Sequence, residues 1–400
     1  MFSLYVLLLL LVVALSAPII ANDKPLFTIY QNQVFFPAIS FSNVVELTNE
    51  VTGKKEVIQS SQVEWNKLKL EKAVWAPVRF SPGKRDPDNQ DYNIPSGSHF
   101  LGTTKNGSDV LSGLIHGTRI SLTIGIMSML LASLIGISLG SFAGYFGDHR
   151  LQIARGKVWM TLVGIFPAYF YSFYMRSREL SYLFINPGFA TLVQFVFSLL
   201  IFLLILFIFY KAGNILFKTA FFSKKIFIHV DSLVSRTIEI FVSIPRLILI
   251  ISIAAIARPS FFNLILIIGL TSWTEIARFT RAELLQARNS DYIATARALG
   301  LSDVRIIIKH ALPNALAPAT IAIVFGIASA ILIESGLSFL GIGVPQDVVT
   351  WGSLLFAGKE NFDAWWLVIF PGIAIFTTVT ALNLVGDGLR DAMDVKSRSV

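Results

Sequence analysis

Side chains that could carry chemistry are sparse in this sequence and show no catalytic spacing. There is no cysteine, which removes disulfides, thiolate metal sites, iron–sulfur clusters and thiol nucleophiles. The five histidines, His99, His116, His149, His229 and His310, lack the short separations that bring ligands to one metal ion. Gly83-Lys84, Gly156-Lys157 and Gly358-Lys359 miss the other members of the G-x-x-x-x-G-K-[ST] phosphate loop. No acid, base and nucleophile are gathered in one segment. The sequence therefore reads as a non-enzyme with no catalytic, cofactor-binding or metal-binding residues of its own. The charges that stand out are Arg246, just after Pro245, with Glu239 a few residues before it, and Glu334; all three border or interrupt apolar runs.

The elements that hold these residues follow from composition. Hydrophobic residues make up 54% of the 400 and charged residues only 14%. A soluble chain of this length needs about a quarter of its residues charged, so most cytosolic enzymes, secreted scaffolds and disordered regulators are excluded. Apolar runs of membrane-spanning length fall at 2–20, 120–142, 158–175, 189–210, 240–257, 261–274, 315–334 and 365–386. The fifth is interrupted by Arg246 and the sixth is cut short by Glu275. Within a bilayer, Arg246 and Glu334 become candidates for a translocation path or gate. The plainer alternatives are that Arg246 snorkels to the interface and that Glu334 is an interfacial carboxylate at a span end.

Sidedness follows from the connections. With the N-terminus inside, seventeen Lys and Arg fall in the inner connections and four in the short outer ones, which predicts cytoplasmic N- and C-termini. The net charge of +8 thus reflects membrane topology rather than nucleic-acid binding. Residues 1–21 read either as an uncleaved first span or, given the small residues from Ala14 to Ala17, as a cleaved signal peptide; the lack of a basic n-region favours the uncleaved span. Residues 22–114 form an exported loop domain, with short strands expected around Leu26–Tyr30 and Gln33–Phe36 and a loop from Ser81 to Pro95. That domain is either a stabilising cap or a docking face for a soluble partner. Residues 115–390 form the main membrane domain, and 391–400 a cytoplasmic tail.

The longest inner polar stretch, 275–314, is punctuated. Ser290 or Asp291 is placed to cap a helix running to Ala298, and Gly300 suits the left-handed position after it. Ser302 and Asp303 start a second helix that Pro313 is expected to stop. Ala294, Thr295, Ala296 and Ala298 give the first helix a surface that another protein can approach closely.

These residues carry a resemblance. Asp291, Tyr292, Ala294, Thr295, Ala296, Arg297 and Gly300, followed by His310, Leu312, Pro313 and Asn314, resemble the E-A-A-x-x-x-G-x9-I-x-L-P loop of binding-protein-dependent ABC permeases. Ala294 stands where the family has Glu and Thr295 where it has the middle Ala. The segments His99–Thr104, Gly107–Ser112 and Gly117–Leu122 resemble the G-T-D-x-x-G-R-D-V-L-S…G-x-R-x-S-L signature of the OppC/DppC oligopeptide and dipeptide permeases, with Thr104 and Ser108 replacing an Asp and an Arg. Glu334 with Leu337–Gly343 and Trp351-Gly352, and then Gly386–Asp394, resemble further blocks of that family. Ile20–Leu26 and Trp75–Phe80 resemble the long exported loop of the Yej-type peptide permeases.

The resemblance implies an all-α polytopic membrane protein with a type I ABC importer core of six spans. Here the core is extended by an exported loop domain and a hydrophobic hairpin at about 158–226, expected at the periphery. It implies a bacterial inner-membrane location and a role in binding-protein-dependent peptide transport. The implied partners are two ATPase subunits that bind ATP and Mg, a second permease of the OppB type and a periplasmic peptide-binding protein. Residues 290–314 would transmit ATPase closure. The competing class, an ATP-independent secondary transporter or channel, predicts inverted repeats and midplane charges that the sequence does not display.

Overall fold

The computed structural model describes residues 2–30, 33–38, 44–48, 55–59, 63, 65, 68, 70–185, 189–215 and 220–398. Helix α1 (Phe2–Ile20) leads into strands β1 (Phe27–Tyr30), β2 (Gln33–Phe35), β3 (Val44–Thr48), β4 (Lys55–Gln59) and β5 (Lys72–Val74). There follow α2 (Val110–Phe146), β6 (Gln152–Ala154), α3 (Arg155–Tyr169), α4 (Ser177–Ile185), α5 (Phe189–Ala212), α6 (Ala220–Ser223) and β7 (Lys225–Phe227). The remainder is helical: α7 (Val230–Ser243), α8 (Arg246–Ile256), α9 (Phe261–Ala287), α10 (Asp291–Ala298), α11 (Asp303–Ile306), α12 (Leu312–Phe339), α13 (Trp351–Gly358) and α14 (Trp366–Arg398). Among the described residues, six helices are long and apolar enough to cross a membrane, or seven if α7 and α8 count as one bent span. The chain is an all-α polytopic membrane protein carrying small β elements.

It divides into two compact units, residues 1–123 with 334–382, and 124–333 with 383–400. In the first unit, β1 is the middle strand of an antiparallel sheet ordered β2-β1-β5. The two strands expected from the sequence are β1 and β2. Burial alternates along β1 as strand geometry requires, with Thr28 and Tyr30 inward. Tyr30 and Trp65 form a small core with Phe35, Val63, Leu68, Leu70 and Trp75 packed on it. A second core, built from Val110, Ala364, Trp366 and Leu367, fixes the start of α2.

The second unit is organised by close helix contact. Gly136, Gly140 and Gly144 repeat every fourth residue along α2, so they share one face. A Cβ on Gly140 would lie 2.6 Å from the Ala277 carbonyl oxygen, and one on Gly144 would lie 2.6 Å from that of Arg281. The α2 and α9 backbones approach so closely because these positions carry no side chain, the packing mode that replaces hydrophobic drive inside a bilayer.

Three sequence expectations change here. Helix α9 does not end at Glu275 but runs on to Ala287, with Glu275 and Arg278 on its exposed side, because neither residue opposes helix formation. The run at 240–257 is not a straight span. It breaks between Ser243 and Arg246 with a bend of 78°, since Pro245 forces Ile244 to extended backbone, φ −95° and ψ 127°. Nor does Pro313 stop a helix, because Asp303–Phe339 is continuous. A π-helical turn at Ile307–Ala311 precedes the proline and absorbs its ring and missing N–H.

The inserted hairpin is helical on both sides. The 15-residue α3, followed by a five-residue π-helix at Phe170–Tyr174, packs along α5. Gly164 provides the clearance, since a Cβ there would meet the Phe209 ring at 2.7 Å.

Candidate functional site

The punctuated stretch folds as a helix, a left-handed turn and a helix. Ser290 occupies the N-cap position of α10, but its hydroxyl donates to the Ala287 carbonyl instead of capping. At the other end, the Leu301 N–H donates to Ala296 O (3.2 Å) and the Gly300 N–H to Arg297 O (2.9 Å). This is the Schellman pattern, with Gly300 at φ +76°. Apart from its chain neighbours, no atom of the described residues lies within 4 Å of a Cβ built on Gly300, so the glycine answers a backbone requirement rather than a steric one.

The element is anchored from beneath. Ile293, Ala296, Ile306, Ile307, Ala311 and Ala315 join Tyr145, Phe146 and Leu284 in one buried cluster, with Leu312 packed against it. Ala296 therefore turns into the core rather than contributing to the approachable surface. Asp291, Tyr292, Ala294, Thr295, Arg297, Gly300, His310, Pro313 and Asn314 are exposed. So are the apolar side chains of Leu299, Val304 and Ile308, 74%, 64% and 59% exposed respectively. A mixed polar and apolar face thus stands on a fixed base.

A clamp unforeseen in the sequence holds that base. Asp303 accepts hydrogen bonds from the Tyr145 hydroxyl (2.8 Å) and from Arg150. The Arg150 guanidinium carbon lies 4.5 Å from the Tyr145 ring centroid, and that of Arg297 lies 5.4 Å from it. No local spacing signals a contact between residues so far apart in sequence.

Arg246 sits at the break between α7 and α8. It donates to the Ser272 hydroxyl on α9, while its Nε is buried with no hydrogen-bond partner among the described residues. A cavity of about 280 Å³ opens there, lined by Ile244, Pro245, Arg246, Ser272, Glu275 and Arg278 among others. Glu239 does not join it; it pairs with Arg236 at 2.8 Å on exposed surface.

Glu334 is not an exposed carboxylate at a span end. It is fully buried within α12 and accepts hydrogen bonds from the hydroxyls of Ser121 (2.9 Å), Ser338 (2.9 Å) and Ser335 (3.4 Å). Small residues crowd the surroundings: a Cβ on Gly352 would lie 2.5 Å from Ser335 O.

His99, one of five scattered histidines in the sequence, is also fully buried, between Asp109 (2.8 Å) and Asp86 (3.3 Å). Burial draws the Asp86 carboxyl upward, but the Asn89 amide, the Asp88 N–H and the His99 ring outweigh it and hold the carboxyl below its ordinary range. Thr104 and Ser108 still bond each other, Ser108 N–H to Thr104 Oγ1 at 3.2 Å. No group of three or more metal-ligating side chains forms among the described residues.

The family model described as binding-protein-dependent transport system inner membrane component matches residues 121–399. The chain is 29% identical over 397 residues to the inner membrane ABC transporter permease protein YejE of Escherichia coli, covering 98% of this chain and 92% of that protein. It is 27% identical over 330 residues to the dipeptide transport system permease protein DppC of Alkalihalophilus pseudofirmus, covering 82% of each. It is 29% identical over 301 residues to the di/tripeptide transport system permease protein DppC of Pseudomonas aeruginosa, covering 75% of this chain and 73% of that protein.

Proposed function

We propose that this chain, which belongs to the family of binding-protein-dependent transport system inner membrane components, is the permease subunit of a peptide importer. The permeases it resembles carry peptide names, as does the di/tripeptide protein of Pseudomonas aeruginosa, and the loop and C-terminal blocks of the sequence support the same cargo class. Family membership favours this reading over an ATP-independent transporter.

On this proposal, two ATPase subunits bind ATP and Mg and hydrolyse the nucleotide, and a second permease completes the pathway. A soluble peptide-binding protein delivers cargo to the exported face. Charge asymmetry supports cytoplasmic N- and C-termini. The observation that carries the coupling role is the exposed face of Tyr292, Leu299, Val304 and Ile308 on a buried base. Docked in an ATPase cleft, that face would pass motion into the helix running unbroken from Asp303 to Phe339. Gly300 sets the turn, and Pro313 and Asn314 ride within the lever rather than ending it. On the same proposal Arg246 and Glu334 belong to the path or its gate; what supports this is the Arg246 Nε, unpaired among the described residues and beside a cavity, and the burial of a carboxylate at Glu334.

Purification of the tagged chain tests the proposal. ATPase subunits should come down with it and be lost when the exposed face is charged, as in Leu299→Glu with Ile308→Glu. Recovery of a chain free of ATPase subunits from gently solubilised membranes would contradict it.

A further inference from the structure

The inserted hairpin has no part in the proposed coupling to an ATPase, yet its charge is unusually one-sided. Between Asp148 and Asp231 the sequence holds one acidic residue, Glu179, and that carboxylate pairs with Arg176 at 2.9 Å beyond the far end of α3. The base carries Arg155 and Lys157 where α3 begins, Lys211 where α5 ends, and Lys224 and Lys225 in and beside β7.

The fold brings these five together. A Cβ on Gly213 would lie 2.5 Å from the Lys157 Cα, so the chain leaving α5 touches the first turn of α3. Strand β6 pairs antiparallel with β7, placing Ala154 opposite Lys225, and the Arg155 N–H donates to Lys224 O at 3.1 Å. None of the five has an ion-pair partner among the described residues. Instead Arg155 lies 5.2 Å from the Phe221 ring centroid, Lys157 4.9 Å from Tyr210 and Lys211 5.4 Å from Phe207. Like charges at such a junction repel one another, and an anion would offset that repulsion.

We propose that the hairpin base binds the headgroup of an anionic phospholipid. Phosphate chemistry suits the cations, and the walls above them identify a lipid as its carrier. Leu162, Val163 and Phe166 on α3 and Leu203, Phe207 and Ile208 on α5 are exposed. Only 6% of the apolar stretch of α5 is buried within the protein. A phosphate with attached acyl chains satisfies both surfaces at once, whereas a free anion uses only the charges and an acidic peptide leaves the apolar walls unmatched.

The test is native mass spectrometry of the full chain, titrated with phosphatidylglycerol or with phosphatidylcholine of the same acyl chains. Wild type should retain phosphatidylglycerol about tenfold better, from several lysines near the membrane surface. The variant Lys157→Gln, Lys211→Gln, Lys224→Gln should lose that preference, and the matching Arg variant should keep it. A photoactivatable phosphatidylglycerol on the wild-type chain should label peptides from 150–160 and 205–227, a readout that needs no variant to fold. Equal retention of the two lipids, an undiminished preference in the Gln variant, labelling mainly elsewhere, or displacement by equimolar inorganic phosphate would overturn the assignment.

Discussion

The turn at Gly300 permits a prediction in which conformation and contact are separable. The residue sits at φ +76°, and a Cβ there meets nothing within 4 Å. Size is therefore not what the site rejects within this chain. An ordinary L-residue in the left-handed region costs about 1–2 kcal/mol, more when β-branched, while Asn enters it readily. The cost falls on the two hydrogen bonds that close the turn, Leu301 to Ala296 and Gly300 to Arg297. A shift of 1–2 kcal/mol changes the ratio of correct to incorrect turn by a factor of about 5–30. The buried base of Ile293, Ile306 and Leu284 is untouched, so membrane insertion and yield should hold. Gly300→Val should then depress ATP-driven peptide uptake by up to that factor, Gly300→Ala should depress it less, and Gly300→Asn should stay near wild type. The assay is uptake of a labelled peptide by vesicles containing the assembled complex, with ATP hydrolysis recorded in parallel. Normal uptake by the Val variant would refute the reasoning. So would equal failure of Asn and Val, since that would make the open space a contact site for a partner rather than a backbone requirement.

Other consequences are simpler. Gly140→Leu must push against the Ala277 carbonyl and should lower stability by about 1–3 kcal/mol, whereas Gly388→Ala, on the exposed side of α14 where a Cβ meets no atom of the described residues within 4 Å, should not lower the detergent Tm. Glu334→Ala strands the hydroxyls of Ser121, Ser335 and Ser338 and should cost about 1–3 kcal/mol; Glu334→Gln keeps an acceptor and should cost less in the same melt. Burial alone would raise the Asp23 carboxyl, but Lys84 and Ser81 outweigh it and hold it below its ordinary value of 3.8. Its contribution is therefore complete above that value and lost as pH falls through the depressed one. Unfolding followed by Trp fluorescence should be insensitive to Asp23→Asn at pH below both values and show the variant as the weaker protein at pH 7.

How much of this was legible in the sequence differs from element to element. Strands β1 and β2, the paired helices of the hairpin and the left-handed Gly300 were readable because each rests on local pattern or on a single residue's conformational freedom. The break at Pro245 was also written locally, in the restriction a proline places on the residue before it, but hydropathy over a window averages across it. Pro313 misled because a proline ends a helix only where the ladder cannot adjust, and the π-turn before it allows that adjustment. The four-residue repeat of Gly136, Gly140 and Gly144 was present as a signal and marks the α2–α9 contact. By contrast, the clamp of Tyr145, Arg150 and Asp303, the bridging of His99 between Asp86 and Asp109, and the hydroxyls around Glu334 join residues that only the tertiary structure brings together. Their chemistry depends on burial, which composition does not record.

The most direct test of the central claim is the energy source of transport in reconstituted vesicles. Vesicles holding this chain with its second permease, ATPase subunits and binding protein should accumulate peptide only when ATP is supplied, and vesicles holding this chain alone should accumulate none. Peptide accumulation by the chain alone, without ATP, would contradict the account.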